Sequence, residues 1–146
     1  MIRFWLAAAA LGGFLSVAAG AIGAHLAAGD ARAAEQLRTG ALYGMVHAAA
    51  LIGVVAMAEH RGRPGLLLII AGWGFAGGLL LFSLSLFALA LTGAERFGLV
   101  TPFGGTSLFI GWAALGLQAL RRRKRSENAL SSQTSEIARR AKNPPS

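Results

Sequence analysis

The sequence predicts an all-α, integral membrane four-helix bundle followed by a disordered basic C-terminal tail. Three observations carry this. Charged residues are 14% and hydrophobic residues 55% of the 146-residue chain, whereas an average soluble domain is about a quarter charged. The charges are also segregated. Residues 4–29, 39–58, 64–94 and 97–120 contain no Asp, Glu, Lys or Arg, and each run is at least 20 residues long. About 20 apolar residues suffice for a helix to cross a bilayer core. Finally, the runs are apolar on every face, unlike the roughly ten-residue alternating segments of barrel strands. An ordinary soluble enzyme, a disordered chain and, with no Cys, a disulfide scaffold are excluded.

The expected organisation is a transmembrane domain over residues 1–120, with spans near 4–28, 40–58, 65–92 and 101–120, and a tail over 121–146. The first run outlasts the 7–15-residue apolar core of a signal peptide, so a retained span is expected rather than one cleaved near Ala18, Gly20 or Ala21. Arg61, Gly62, Arg63 and Pro64 make a tight turn between spans two and three. Thr92-Gly93 closes the third span, with Gly93 suited to the left-handed position after a helix. Thr101-Pro102 opens the fourth: the Thr oxygen can satisfy a free N–H, and Pro lacks one. The tail opens with Arg121, Arg122, Arg123, Lys124 and Arg125 and turns Ser-, Gln- and Asn-rich. Its low apolar content predicts disorder.

Lys and Arg set the expected orientation. Arg3, Arg61, Arg63 and eight tail residues share one side, against Arg32, Arg38 and Arg96 on the other. The positive-inside rule then puts both termini in the cytoplasm of a bacterial inner membrane. The net charge of +8 thus reads mainly as a topology signal. Beside the last span, Arg121 to Arg125 also form a lipid anchor for anionic headgroups. The tail has no aromatic residues for base stacking, so a nucleic-acid partner is not expected.

Lipid tails are as apolar as Leu, so close approach of small residues must hold the helices together. On a helical projection each span has such a face. Gly13, Ser16 and Gly20 mark it in span one; Gly40, Gly44 and His47 in span two; Gly74, Gly78 and Ser85 in span three; Gly104, Ser107 and Gly111 in span four. Those eight glycines are the expected packing positions. His47, Ser85 and Ser107 fall at similar depths, about 10 Å from one end of their spans. They suggest a polar shelf in the outer half of the bundle, with Tyr43 one turn from His47 on the same helix face. An ionisable residue in a membrane is a functional candidate by default; a Ser there commonly bonds its own backbone.

Other chemistry is thinly represented. His25 points away from the small face of span one and no second His pairs with it at ligand spacing, so neither a metal nor a cofactor is expected. His60 belongs to the basic turn. There is no nucleophile motif, no phosphate-binding Gly-rich loop, and no carboxylate within a span; Asp30, Glu35 and Glu95 lie between spans. No catalytic residue is assigned, and an enzyme is not expected. Trp5 fits an interfacial belt, and Trp73 and Trp112 suit packing between spans three and four.

Four segments, in order, resemble the YgdD-like (transmembrane protein 256) family of small membrane proteins. They are Gly20-Ala21-Ile22-Gly23-Ala24-His25, Tyr43-Gly44-Met45-Val46-His47-Ala48, the stretch from Ala71-Gly72-Trp73 to Leu91-Thr92-Gly93, and Thr101-Pro102-Phe103-Gly104-Gly105 to Gly111-Trp112. The resemblance covers roughly residues 5–120 and implies a four-span bundle, with no activity to carry over. Many members have His after the second-span Tyr, where this chain has Gly44, and the third span often reads Phe-Ser-Gly-Ser, where this chain has Phe82-Ser83-Leu84-Ser85. His25, Tyr43, His47, Ser83, Ser85 and Thr101 are the polar positions inside the matched segments, and Ser107 completes the candidate polar site. The leading expectation is a non-enzymatic protein that packs with itself or a membrane partner. The alternative is a small-solute or lipid-handling protein working through His47, Ser85 and Ser107.

Overall fold

The computed structural model describes residues 1–26, 29–60 and 62–142. The last two residues of the expected first span, Ala27 and Ala28, lie outside the described residues, as do Arg61 of the turn and the Pro-Pro-Ser end. The chain runs through α1 (Ile2–Leu26), α2 (Ala31–His60), α3 (Leu66–Gly78), a π-helical turn (Leu79–Ser83), α4 (Leu84–Thr92), a 3₁₀ turn (Glu95–Leu99) and α5 (Thr101–Lys142). Among the described residues, four stretches are long and apolar enough to cross a membrane: Ile2–His25, Ala31–His60, Leu66–Thr92 and Glu95–Arg121. The chain divides into two compact units, Met1–Leu115 and Gly116–Ser146.

In the first unit α2 is the central element. It packs closely along α1 and also against α3, the π-turn and α4. The core has two parts. One gathers Trp5, Ala9, Leu51, Val54, Leu68, Ala71 and Phe75. The other joins Ala19, Leu37, Ala41 and Phe87. Most of these residues are small or slender, which lets backbones approach and gives dispersion forces the contact area that hydrophobic burial cannot supply in lipid.

Three boundaries depart from the sequence reading. The second helix begins at Ala31 rather than near residue 40. Asp30 nucleates it, taking the Ala33 N–H on Oδ1 at 2.9 Å. The added turns carry Arg32, Glu35 and Arg38 on exposed positions, and bury Ala33, Ala34 and Leu37. A criterion built on absence of charge misses an amphipathic extension of this kind.

The third span is a helix from Leu66 to Thr92 whose register slips at residues 79–83, where hydrogen bonds reach five residues instead of four. Gly93 ends it at φ 66°, its N–H returning to the Leu89 carbonyl at 2.9 Å. Thr101, expected to cap α5 through its oxygen, bonds elsewhere: its hydroxyl meets the Phe97 carbonyl at 3.4 Å and Ser85 Oγ at 2.8 Å.

The second unit is helical to Lys142, where low apolar content had suggested disorder. Its Arg, Lys, Glu, Ala and Leu are good helix formers. Arg121 and the other described side chains over 127–136 are exposed. The side chains of Arg122, Arg123, Lys124 and Arg125 lie outside the described set.

The aromatic residues also rearrange. Trp5, expected at an interface, is fully buried beneath Gly72, where a Cβ would strike its ring. Trp73, expected between spans three and four, turns to α1, with its ring 5.2 Å from Phe4 and edge-on to Trp5 at 6.2 Å. Gly72 leaves room for an indole from the first helix, and this fixes where α1 meets α3.

Candidate functional site

His47 sits on the inner face of α2, 6% exposed, and both ring nitrogens are engaged. Nδ1 lies 2.7 Å from the Tyr43 carbonyl oxygen one turn back. The indole N–H of Trp112 on α5 donates to Nε2 at 3.1 Å. The indole has no acceptor lone pair, so Nε2 must be the acceptor, and Nδ1 carries the hydrogen donated to Tyr43. The geometry assigns this tautomer. Aromatic rings enclose the imidazole: Tyr43 stacks at 5.8 Å, Phe75 lies at 5.9 Å, and Trp112 at 6.1 Å. Phe75 is in turn edge-on to Trp112 at 5.1 Å, and Tyr43 meets Phe82 at 4.8 Å. The contact expected between Tyr43 and His47 is present, made through the backbone carbonyl and the ring face.

The remaining shelf residues pair separately. Ser107 Oγ donates to the Gly74 carbonyl at 2.9 Å, joining α5 to α3. Ser85 Oγ bonds the Phe82 carbonyl at 2.9 Å and the Thr101 hydroxyl at 2.8 Å, tying α4 to the start of α5. Ser83 is buried on the π-turn. His25, in the last turn of α1, is exposed and apart from the others. His47, Ser85 and Ser107 therefore hold three different junctions. Among the described residues no group of three or more His, Asp or Glu could hold a metal.

The glycines explain why these junctions are close enough to bond. A Cβ on Gly74 would fall 2.8 Å from both Cα and N of Gly111 and 3.0 Å from the Ser107 carbonyl. On Gly111 it would lie 2.8 Å from the Phe75 ring, and on Gly40 2.6 Å from Phe87. On Gly44 it would collide with Ser16 Oγ, on Gly78 with Leu108, and on Gly104 with the backbone of the π-turn at Phe82. Gly13 and Gly20 differ: a Cβ there meets Ala48 at 3.8 Å and Ala41 at 3.6 Å, ordinary contact distances.

Two larger hollows lie among the residues that flank the connections following α1 and α4. One of about 210 Å³ is bordered by Asp30, Arg32, Gln36, Gly93 and Glu95. The other, of about 470 Å³, is bordered by Gly20, Gly23, Ala24, Glu35 and Arg38. Neither is lined by His47, Ser85 or Ser107.

Sequence reasoning missed Trp112 as the partner of His47. A usable signal existed: an indole N–H about 12 Å inside a span must find an acceptor, and His47 is the imidazole placed within a span. The π-turn was missed as well.

Comparison with known proteins places this architecture. A profile described as "Protein of unknown function (DUF423)" matches residues 19–105. The chain belongs to the DUF423 family. Its relatives include the UPF0382 inner membrane protein YgdD of Escherichia coli, 36% identical over 131 residues, covering 84% of this chain and 94% of that protein. A UPF0382 membrane protein of Haemophilus influenzae is 38% identical over 113 residues, with coverage of 76% and 89%. The UPF0382 membrane protein YwdK of Bacillus subtilis is 31% identical over 122 residues, with coverage of 82% and 98%. No solved structure matches the chain. This DUF423 member is thus a small polytopic membrane protein whose relatives carry no named activity.

Proposed function

We propose that this protein is a non-enzymatic packing or partner-binding component of the inner membrane, with both termini in the cytoplasm. One observation carries the reading. Three polar pairs within the spans are made between neighbours in the same chain: Trp112 to His47, Ser107 to Gly74, and Ser85 to Thr101. In lipid such bonds hold helices in register, and groups engaged in this way are not poised for chemistry on a substrate. The charge distribution supports the orientation, and the basic run from Arg121 to Arg125 supports a contact with anionic headgroups. A membrane protein or a second copy of this chain is the partner class such a bundle fits.

The test is gentle extraction from native membranes followed by mass spectrometry of whatever remains bound. A stoichiometric protein partner or a homo-oligomer is expected. A well-folded, fully assembled His47→Ala variant that loses the protein's biological effect entirely would overturn the reading, because it would make the imidazole a working group instead of a fastening. Reporter fusions at each terminus test the orientation, and a C-terminal reporter active outside the cytoplasm would refute it.

A further inference from the structure

We propose that the hollow between α1 and α2, at the membrane face where the two helices are joined, binds one phospholipid whose headgroup carries a phosphate and a primary ammonium, as in phosphatidylethanolamine. Arg38 takes the phosphate and Glu35 the ammonium. Nothing in the family's description assigns a site there. The inference depends neither on the packing role nor on the orientation proposed above.

The hollow follows from residue size. Gly20, Gly23 and Ala24 border it from α1, and Ala31 and Ala34 from α2. Among the described residues around it, only Glu35 and Arg38 have side chains longer than a methyl. The helices touch behind it: a Cβ on Gly23 would stand 3.1 Å from Leu37 Cβ and 3.2 Å from the Ala34 carbonyl oxygen. The space left is about 470 Å³, inside the range of about 300–1,000 Å³ typical of ligand pockets. It accommodates a headgroup and leaves the acyl chains to the surrounding bilayer.

The charges at its edge come as one of each sign. Ala31, Ala34, Glu35 and Arg38 stand at i, i+3, i+4 and i+7, so they share the face of α2 that borders the hollow. Glu35 and Arg38 are both exposed. Their spacing would allow them to pair, yet among the described residues they form no ion pair with each other or with a neighbour. Glu35 accepts only the Thr39 hydroxyl, at 3.5 Å. A purely anionic headgroup would meet Glu35 as a like charge, and a bare cation would meet Arg38. A zwitterion satisfies both.

Depth then orders the two groups. The charge-free run over residues 39–58 is 20 residues long, which as a helix is about 30 Å, the thickness of the hydrocarbon core. Arg38 therefore stands at the edge of that core, where phosphates lie, and its guanidinium can bind a phosphate through two parallel hydrogen bonds. Glu35 is three residues further out, about 4.5 Å, and still within the headgroup layer. In the lipid the phosphate is likewise attached to the glycerol, and the ammonium follows two carbons beyond. A primary ammonium donates hydrogen bonds to a carboxylate; a trimethylammonium has no N–H to donate.

The test titrates the full chain in detergent with phosphatidylethanolamine or phosphatidylcholine of identical acyl chains and reads bound lipid by native mass spectrometry. One phosphatidylethanolamine should bind saturably and about tenfold more tightly than phosphatidylcholine, the factor one hydrogen bond between charged groups supplies. Glu35→Gln should remove that preference, and Arg38→Gln should weaken both lipids. Thermal unfolding in the same detergent checks that these changes at exposed positions leave the bundle intact. Equal binding of the two lipids by the unaltered protein overturns the proposal without recourse to any variant. A preference that persists in Glu35→Gln, or lipid binding undiminished in Arg38→Gln, overturns it as well.

Discussion

Trp112 and His47 face one another across 3.1 Å, indole N–H to Nε2, although 65 residues separate them. The bond joins α2 to α5, and it explains how an imidazole and an indole can both lie inside an apolar bundle. Interhelical hydrogen bonds in membranes average about 0.6 kcal/mol, with a maximum near 1.7. Trp112→Phe and His47→Phe are each expected to destabilise the bundle by about 1 kcal/mol. The double variant should lose less than the sum, because each single change leaves the other polar group without its partner. Reversible unfolding in mixed micelles with a double-mutant cycle checks this. Strictly additive losses would mean that the two side chains do not act on each other.

The small-residue faces make sharper predictions because their neighbours differ. A Cβ on Gly74 would meet the Gly111 backbone at 2.8 Å, which cannot turn aside, and it would press on the junction that Ser107 makes with the Gly74 carbonyl. Gly74→Ala should therefore cost about 1–3 kcal/mol, the range for overpacking. Gly13→Ala should be neutral or slightly stabilising, since the new methyl falls 3.8 Å from Ala48 Cβ and Ala is the better helix former. Thermal unfolding of the two variants in the same detergent separates them. Equal behaviour would indicate that glycine content, not contact geometry, governs packing.

Gly44 offers a compensation test. A methyl there collides with Ser16 Oγ but stands 3.2 Å from Ser16 Cβ, a tight yet adjustable contact. Gly44→Ala alone should destabilise α1 against α2. Adding Ser16→Ala should restore most of the loss, although Ser16→Ala by itself removes only a local bond to Gly12. Stability of the three variants, measured by the same unfolding assay, decides the matter. Failure of the second change to rescue the first would show that α1 and α2 meet differently at this level.

These contrasts also mark how far the sequence could be read. The charge-free runs were enough for four helices, because bilayer thickness leaves few alternatives. The start of α2 was obscured by Arg32, Glu35 and Arg38, since charge marks exposure to water and not the end of a helix. The π-turn has no composition signature; it is a change of hydrogen-bond register at Leu79–Ser83, and its backbone meets Gly104 from α5. The depth estimate put His47, Ser85 and Ser107 at one level of the bundle. It could not say that they serve separate junctions, because depth fixes one coordinate and azimuth the other. Trp5 was placed at an interface by residue type, whereas the space above Gly72 draws it into the core.

The basic run after the last span yields a prediction in which two roles come apart. Replacing Arg121, Arg122, Arg123, Lys124 and Arg125 by Gln leaves Arg3, Arg61, Arg63, Arg139, Arg140 and Lys142 on the side proposed to be cytoplasmic, against Arg32, Arg38 and Arg96 on the other. The bias survives, so reporter fusions should give an unchanged topology. Headgroup attraction should not survive, because each cation near the surface contributes about 1 kcal/mol towards anionic lipid. Quantifying phospholipids retained through extraction should then show loss of anionic enrichment in the variant. In the unaltered protein that enrichment should weaken as salt rises, since interactions of exposed charges are screened within about 10 Å at 0.1 M. Unchanged enrichment in the variant would assign the lipid contact to other residues, with Arg3 and Arg63 the first to test. An inverted topology would show instead that these five residues dominate orientation beyond their share of the count.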